Sequence, residues 1–311
     1  MVVGTASEPN QEGCMSMRGM RVVVCCAIAV LCLQSQRAWS ADKLPADSPA
    51  DQQMDKRILG DRFSFDAGLK FWVAKWQAAG FITVTSPTIG TTSTNITRTS
   101  DTTAMLGPSL TGTVRVRDDE WFNSVSVNFT WLQAGGFNFS SAGFNNGVTI
   151  DQDSATRRDY SIVAALSVWR GFGFFAGYYN MQQRFTSHSP SGFFPTPTQE
   201  TVYISGPLIG FFGSGTVAGP LKAYGNLAIG FYEQKSNNNP SGTVQTAEKG
   251  AQGYSAEFGL ALDGPSLRTG IGSIGSAVMM GFRTQIINNN LGPLANNDVT
   301  WGPTFQVVAR F

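Results

Sequence analysis

The 311-residue chain holds one histidine, His188, in the segment Thr186-Ser-His-Ser-Pro190. A histidine working as a general base needs an orienting carboxylate and a nucleophile within hydrogen-bond reach. No acid adjoins His188 in sequence, so Asp151 or Asp153 would have to reach it through the fold. An exposed loop histidine asks for nothing more, and no catalytic residue is assigned. Calcium needs several convergent oxygens, for which Asp151, Asp153 and Asp298 are the candidates beside Ser236-Asn-Asn-Asn-Pro240 and Asn288-Asn-Asn290. Solvated turns account for those tracts more simply, so neither a metal nor a cofactor is expected. All four cysteines (Cys14, Cys25, Cys26 and Cys32) fall at the start of the chain, which leaves the rest without thiol chemistry. That distribution suits export through an oxidising compartment.

A different set of charged residues recurs at alternate positions. From Phe63 onward the chain alternates in period two, the period of a β-strand whose side chains point to opposite faces. In the first segment Phe63, Phe65, Ala67, Leu69, Phe71 and Val73 oppose Ser64, Asp66, Gly68, Lys70 and Trp72. In the last segment Trp301, Pro303, Phe305, Val307, Ala309 and Phe311 oppose Thr300, Gly302, Thr304, Gln306, Val308 and Arg310. Ten such strands are read at about 63–76, 103–117, 122–133, 159–169, 172–184, 201–213, 220–233, 252–263, 275–287 and 299–311. Eight or twelve are the alternatives if 159–184 or 264–287 is parsed differently. Long connections (77–102, 134–158, 185–200, 234–251, 288–298) alternate with short ones (118–121, 170–171, 214–219, 264–274). Long-short alternation of this kind is the layout of a closed, antiparallel, up-and-down transmembrane β-barrel. Closure follows from solvent as well, because a bilayer core offers no water to an unpaired sheet edge. Trp121, Phe122, Trp169, Phe172 and Phe311 fall at one set of strand ends and Trp76, Trp131, Tyr160, Tyr254 and Trp301 at the other, as interfacial belts would.

The leader agrees with export. Arg18 and Arg21 precede the apolar run Val22–Leu33, and Ala38-Trp39-Ser40 supplies small residues for cleavage before Ala41. Twelve apolar residues make a helix of only about 18 Å, too short for a bilayer. The expected organisation is a signal peptide over 1–40, with translation starting at Met1, Met17 or Met20, a polar periplasmic tail over 41–62 and a barrel over 63–311. Taking three of the 22 basic and two of the 21 acidic residues away with the leader leaves 19 of each sign. Such a balance gives no basic patch and no nucleic-acid partner.

These features together resemble the bacterial outer-membrane β-barrel superfamily, over the leader and residues 63–311. The most specific element is the terminal strand, where Phe305, Val307, Ala309 and Phe311 share one face. In that superfamily a C-terminal aromatic on such a strand resembles the signal read by the barrel-assembly machinery. The resemblance implies a bacterial outer-membrane location, with lipid and lipopolysaccharide as surroundings. Two ten-stranded families add nothing: the omptin proteases would imply aspartates and a histidine at the outer rim, and the Opc-type adhesins offer little motif to match. A lipid A deacylase would imply a His and Ser pair on the lipid-facing wall, whereas His188 lies in a proline-rich loop.

Because the apolar face meets lipid, the other face lines the interior. That places Asp66, Lys70, Arg115, Asp159, Lys222, Glu257, Asp263, Arg283 and Arg310 inside, with Glu257 and Arg283 at matching heights as a cross-strand ion pair. Asp66, Arg115, Lys222, Asp263 and Arg310 gather toward the periplasmic end. Gly68, Gly107, Gly225, Gly230, Gly259 and Gly281 also look inward and would free space. Ten strands lie near the side-chain-filled limit of barrel size. The leading expectation is a small channel or transport protein with a narrow mixed-charge lumen that passes small solutes. The rivals are a non-transporting barrel binding surface partners through loops carrying Phe137, Phe139, Phe144, Phe193 and Phe194, and an enzyme built around His188. A sealed lumen counts against the channel.

Overall fold

The computed structural model describes residues 62–86, 90–116, 121–139, 142–143, 149–169, 171–188, 198–238, 245–269, 272–289 and 296–311. The expected signal peptide, and the tail up to residue 61, lie outside the described residues. Thirteen strands form: β1 (Phe63–Ser86), β2 (Gly90–Thr99), β3 (Thr103–Arg115), β4 (Trp121–Phe139), β5 (Ala142–Gly143), β6 (Thr149–Trp169) and β7 (Phe172–His188), then β8 (Thr198–Ala218), β9 (Leu221–Asn238), β10 (Gln245–Asp263), β11 (Leu267–Thr269), β12 (Gly272–Asn289) and β13 (Asn296–Arg310).

Ten of them close a ring in the order β1, β3, β4, β6, β7, β8, β9, β10, β12, β13 and back to β1, every pair antiparallel. The other three are outgrowths, β2 on β1, β5 on β6 and β11 on β12. Closure satisfies the backbone of every wall strand from both sides, as a hydrocarbon surrounding demands. The two ends of the barrel sequence meet at the seam. There Asp66 pairs with Arg310 and Leu69 with Val307, and the Phe65 and Phe311 rings lie 6.2 Å apart.

Parity sorts the side chains. Phe65, Leu69, Leu110, Val127, Ile162, Ile209, Ile229, Leu260, Met280 and Val307 are exposed on the outer wall. In water so continuous an apolar surface would drive aggregation, and in lipid it is the solvated face. Trp131 and Tyr160 are register partners near the outer end, nine residues along their strands from Phe122 and Trp169. At about 3.3 Å per residue and a tilt of about 40°, those levels stand roughly 23 Å apart, close to the height of the apolar band. Trp76, expected in the outer belt, is instead fully buried in the interior with Trp72 and Ala74. Its height suits a belt, but parity on β1 turns it inward.

The ladders run farther outward than expected. The segment 77–102, read as a loop, is largely a hairpin in which Gln77 pairs with Thr99 and Ser86 with Gly90. Thr149–Arg158, Thr198–Glu200 and Gln245–Ala251 likewise extend their strands. Beyond the lipid the outward face meets water instead of hydrocarbon, so hydrophobic alternation fades while the backbone goes on pairing. The threonines of Gly90-Thr-Thr-Ser-Thr-Asn-Ile-Thr-Arg-Thr99 keep the β preference of branched side chains.

Three Gly-Pro pairs interrupt the wall. At Gly107-Pro108 the pairing skips from Leu106–Gln133 to Ser109–Thr130, and at Gly206-Pro207 from Ser205–Glu233 to Leu208–Gly230. At Gly302-Pro303 it skips from Trp72–Thr304 to Lys75–Trp301. Proline lacks the N–H a ladder needs. The glycine before it approaches the partner strand so closely that a Cβ on Gly302, at φ 154°, would stand 1.9 Å from the Val73 carbonyl oxygen. On the neighbouring strands Lys70 is paired with Gly107, Tyr179 with Gly206 and Arg283 with Gly302. Each of these large inward side chains therefore has a bare backbone beside it.

Candidate functional site

The interior divides into an outer half that is filled and an inner half that is hollow. Arg157 of β6 organises the outer half and is 1% exposed. Its Nε and Nη2 donate to the two Asp159 carboxylate oxygens at 2.8 and 2.7 Å, Nη1 to Thr300 Oγ1 at 2.6 Å, and Nη2 to Gln285 Oε1 at 2.6 Å. Tyr179 Oη donates to Asp159 at 2.9 Å. The strands β6 and β12 are five steps apart around the ten-membered ring in either direction, so the Arg157–Gln285 bond crosses the full diameter. Gln183 on β7 makes a second crossing to Asp298 on β13, at 3.2 Å.

Aromatic rings pack around this layer. The Arg157 guanidinium lies 5.6 Å from the Trp72 ring and 5.5 Å from the Trp76 ring. Trp76 in turn meets Phe137, Phe139 and Phe185, each at 5.3 Å between centroids. Phe137 and Phe139, candidates for binding surface partners, are thus buried packing residues of the barrel. Phe144, Phe193 and Phe194 lie outside the described residues. A second cluster (Tyr179, Met181, Ile204, Tyr232, Ile287) fills the opposite side. An arginine this deep is tolerated because a carboxylate and three further oxygens take its N–H groups.

The inner half holds a cavity of about 440 Å³, lined in part by Asp66, Lys70, Glu257, Arg283 and Arg310. Lys70 Nζ donates to both Glu257 carboxylate oxygens, at 2.8 and 2.7 Å, and Thr304 Oγ1 adds a donor at 3.3 Å. Glu257 and Arg283 are direct register partners, yet the expected ion pair between them is not the one formed. The flexible Lys70 stem reaches past β13 and β12 to Glu257, and the planar Arg283 guanidinium stacks on Trp72 at 4.6 Å. At the inner mouth Lys222 pairs with Asp263 at 2.7 Å, and Arg310 bridges Asp263 at 2.5 Å and Asp66 at 3.7 Å. Arg115, expected in this group, is exposed at the end of β3 and takes no part in that chain of ion pairs.

Several inward glycines hold rings rather than open space. A Cβ on Gly230 would fall 2.0 Å from the Tyr232 ring, and one on Gly281 2.6 Å from Tyr224 Oη. The room they provide is already occupied. Two further expectations meet a simple geometry. The β6–β7 register sets His188 opposite Asp151. Asp298 is buried in β13 against Gln183 rather than in an outer loop, and among the described residues no three metal-ligating side chains gather.

Sequence reasoning missed Arg157, Trp72, Trp76, Tyr179, Gln285 and Thr300 as one constellation. The signal was present in part, since Arg157 has the parity of Asp159, but it lay in a segment read as loop. Of the four residues expected to form an assembly signal, Phe305 and Val307 are exposed on the outer wall, and Ala309 and Phe311 are partly exposed at the seam.

No family model matches the chain, and no curated protein matches it. Among solved structures it is similar to the outer membrane protease OmpT of Escherichia coli, at 12% identity and TM-score 0.44, covering 79% of this chain and 95% of that one. It is also similar to Neisserial surface protein A, at 11% identity and TM-score 0.30, covering 80% and 95%. A third is the toluene transporter TodX of Pseudomonas putida, at 9% identity and TM-score 0.28, covering 85% and 93%. A protease, a surface protein and a transporter share only architecture, and fold does not carry function. By its own closed ten-strand ring and apolar outer wall, the chain is a β-barrel of the outer-membrane type, and no family within that type is singled out.

Proposed function

We propose that the protein is an integral outer-membrane barrel that is not an enzyme, does not conduct in the arrangement described, and works through its outer end. The observation that carries this reading is the Arg157 layer, whose hydrogen bonds run from wall to opposite wall with no exposed side chain among Arg157, Trp72, Trp76 and Phe137. A solute would have to break a buried ion pair and displace stacked rings to pass. The outward ladder extensions supply the surface on which a partner would dock, and the terminal strand supports recognition by the assembly machinery. The test is swelling of proteoliposomes in small neutral and charged solutes. Rates equal to those of protein-free liposomes are expected, and solute-dependent swelling by the wild type would sink the reading.

A second reading, a channel whose outer gate is this same layer, is favoured by the 440 Å³ cavity beneath it. Swelling that appears only when a defined outer ligand is added would select it.

A further inference from the structure

The charged side chains lining the inner cavity, Lys70, Arg283 and Arg310 against Asp66 and Glu257, leave one net positive charge. Five charged residues line it, and four of them are matched within the interior: Lys70 with Glu257, and Arg310 with Asp66. Asp263 at the mouth is held by Lys222 as well as Arg310. Arg283 is the remaining one, and among the described residues it forms no ion pair. One face of its guanidinium is taken by the Trp72 ring, 4.6 Å away. The Trp72 indole N–H, fully buried, has no acceptor either. Indole nitrogen is a donor only, and a buried donor left unsatisfied is destabilising. Of the two donors only Arg283 lines the cavity, so its guanidinium is the group an acceptor entering there would meet.

From this surplus we propose that the cavity binds a small organic monocarboxylate, with Arg283 as the residue that holds the carboxylate. Charge sets the valence: the one net positive charge of the lining balances one negative charge, whereas a dianionic phosphate would bring an uncompensated charge into the interior. Shape agrees, since the planar guanidinium edge matches the two oxygens of a carboxylate. Phe175, Tyr179 and Tyr232 line the same cavity and would pack on an apolar body attached to that carboxylate. Its volume, about 440 Å³, lies within the usual range for small-molecule sites. Entry is from the inner mouth, a point that rests on reading the outer half as sealed; binding itself does not depend on it.

The experiment is isothermal titration calorimetry of the refolded full chain in detergent, with benzoate as probe and benzamide as its neutral counterpart. Saturable benzoate binding without benzamide binding is expected. Arg283→Gln should weaken benzoate about tenfold or more, the loss of one charge-assisted contact, and Arg283→Lys should retain part of the affinity. Arg115→Ala, an exposed cation at the end of β3 outside the cavity, should leave it within about twofold, which controls for folding, detergent and non-specific charge effects. Absence of saturable binding by folded wild type, equal benzoate affinity in Arg283→Gln, or equal binding of benzamide each overturns the proposal. A conducting wild type would contradict the sealed barrel while leaving these titrations unchanged, so the two failures are distinguishable.

Discussion

The two halves of the interior use the same kinds of residue under opposite conditions. In the outer half Arg157 and Asp159 are 1% and 3% exposed and are held by buried hydrogen-bond partners and the Trp72 and Trp76 rings. At the inner mouth the side chains of Arg310, Asp263 and Lys222 are 37%, 26% and 41% exposed and meet water. A charge pair in the first setting cannot lose one member without leaving the other stranded in a medium of low polarity. In the second, solvent screens whatever remains. The same ion-pair chemistry therefore locks one end of the barrel and merely decorates the other.

Breaking the lock should give the largest effect. Arg157→Ala strands Asp159 and is expected to cost about 3–5 kcal/mol in reversible unfolding from detergent. The double change Arg157→Met with Asp159→Leu should cost far less, because no charge is left behind. Equal losses in the two would mean that packing, not charge, holds the outer half. The Lys70–Glu257 pair sits on the boundary, 11% and 9% exposed in its side chains. Each single alanine change there should cost about 1.5–3 kcal/mol, with the double-mutant cycle showing most of that as coupling. Gly230→Ala pushes a methyl into the Tyr232 ring and should cost about 1–3 kcal/mol, recovered in part when Tyr232→Ala is added. The smallest effect is expected for Asp263→Ala, below about 1 kcal/mol and shrinking further in high salt. A loss as large as that of Glu257→Ala would erase the contrast between the two halves.

The barrel was legible because lipid imposes a strict rule: from Phe63 to Val73 and from Trp301 to Phe311 parity alone separates wall from interior. That rule lapses beyond the bilayer, which is why Gly90–Thr99 and Thr149–Arg158 read as loops and Arg157 went unplaced. Parity also says nothing of which inward residues meet across the ring. Heights along neighbouring strands correctly set Glu257 opposite Arg283, but Lys70 reaches Glu257 from two strands farther on. Counting inward glycines as free volume failed for a related reason. A missing side chain on one strand is an invitation to a ring on the next, as Tyr232 over Gly230 shows. The three Gly-Pro pairs were visible in the sequence, yet only the ladder reveals that they stand beside Lys70, Tyr179 and Arg283.

In the reading proposed above, the outer Arg157 layer, not the inner charges, closes the barrel. Single-channel recording in a planar bilayer tests it most directly, with wild type, Arg283→Ala, Glu257→Ala, and Arg157→Ala combined with Trp76→Ala. Silence is expected from the first three and discrete conductance steps from the last. Steps from the wild type, or steps that appear on removing Arg283 or Glu257 alone, would contradict it.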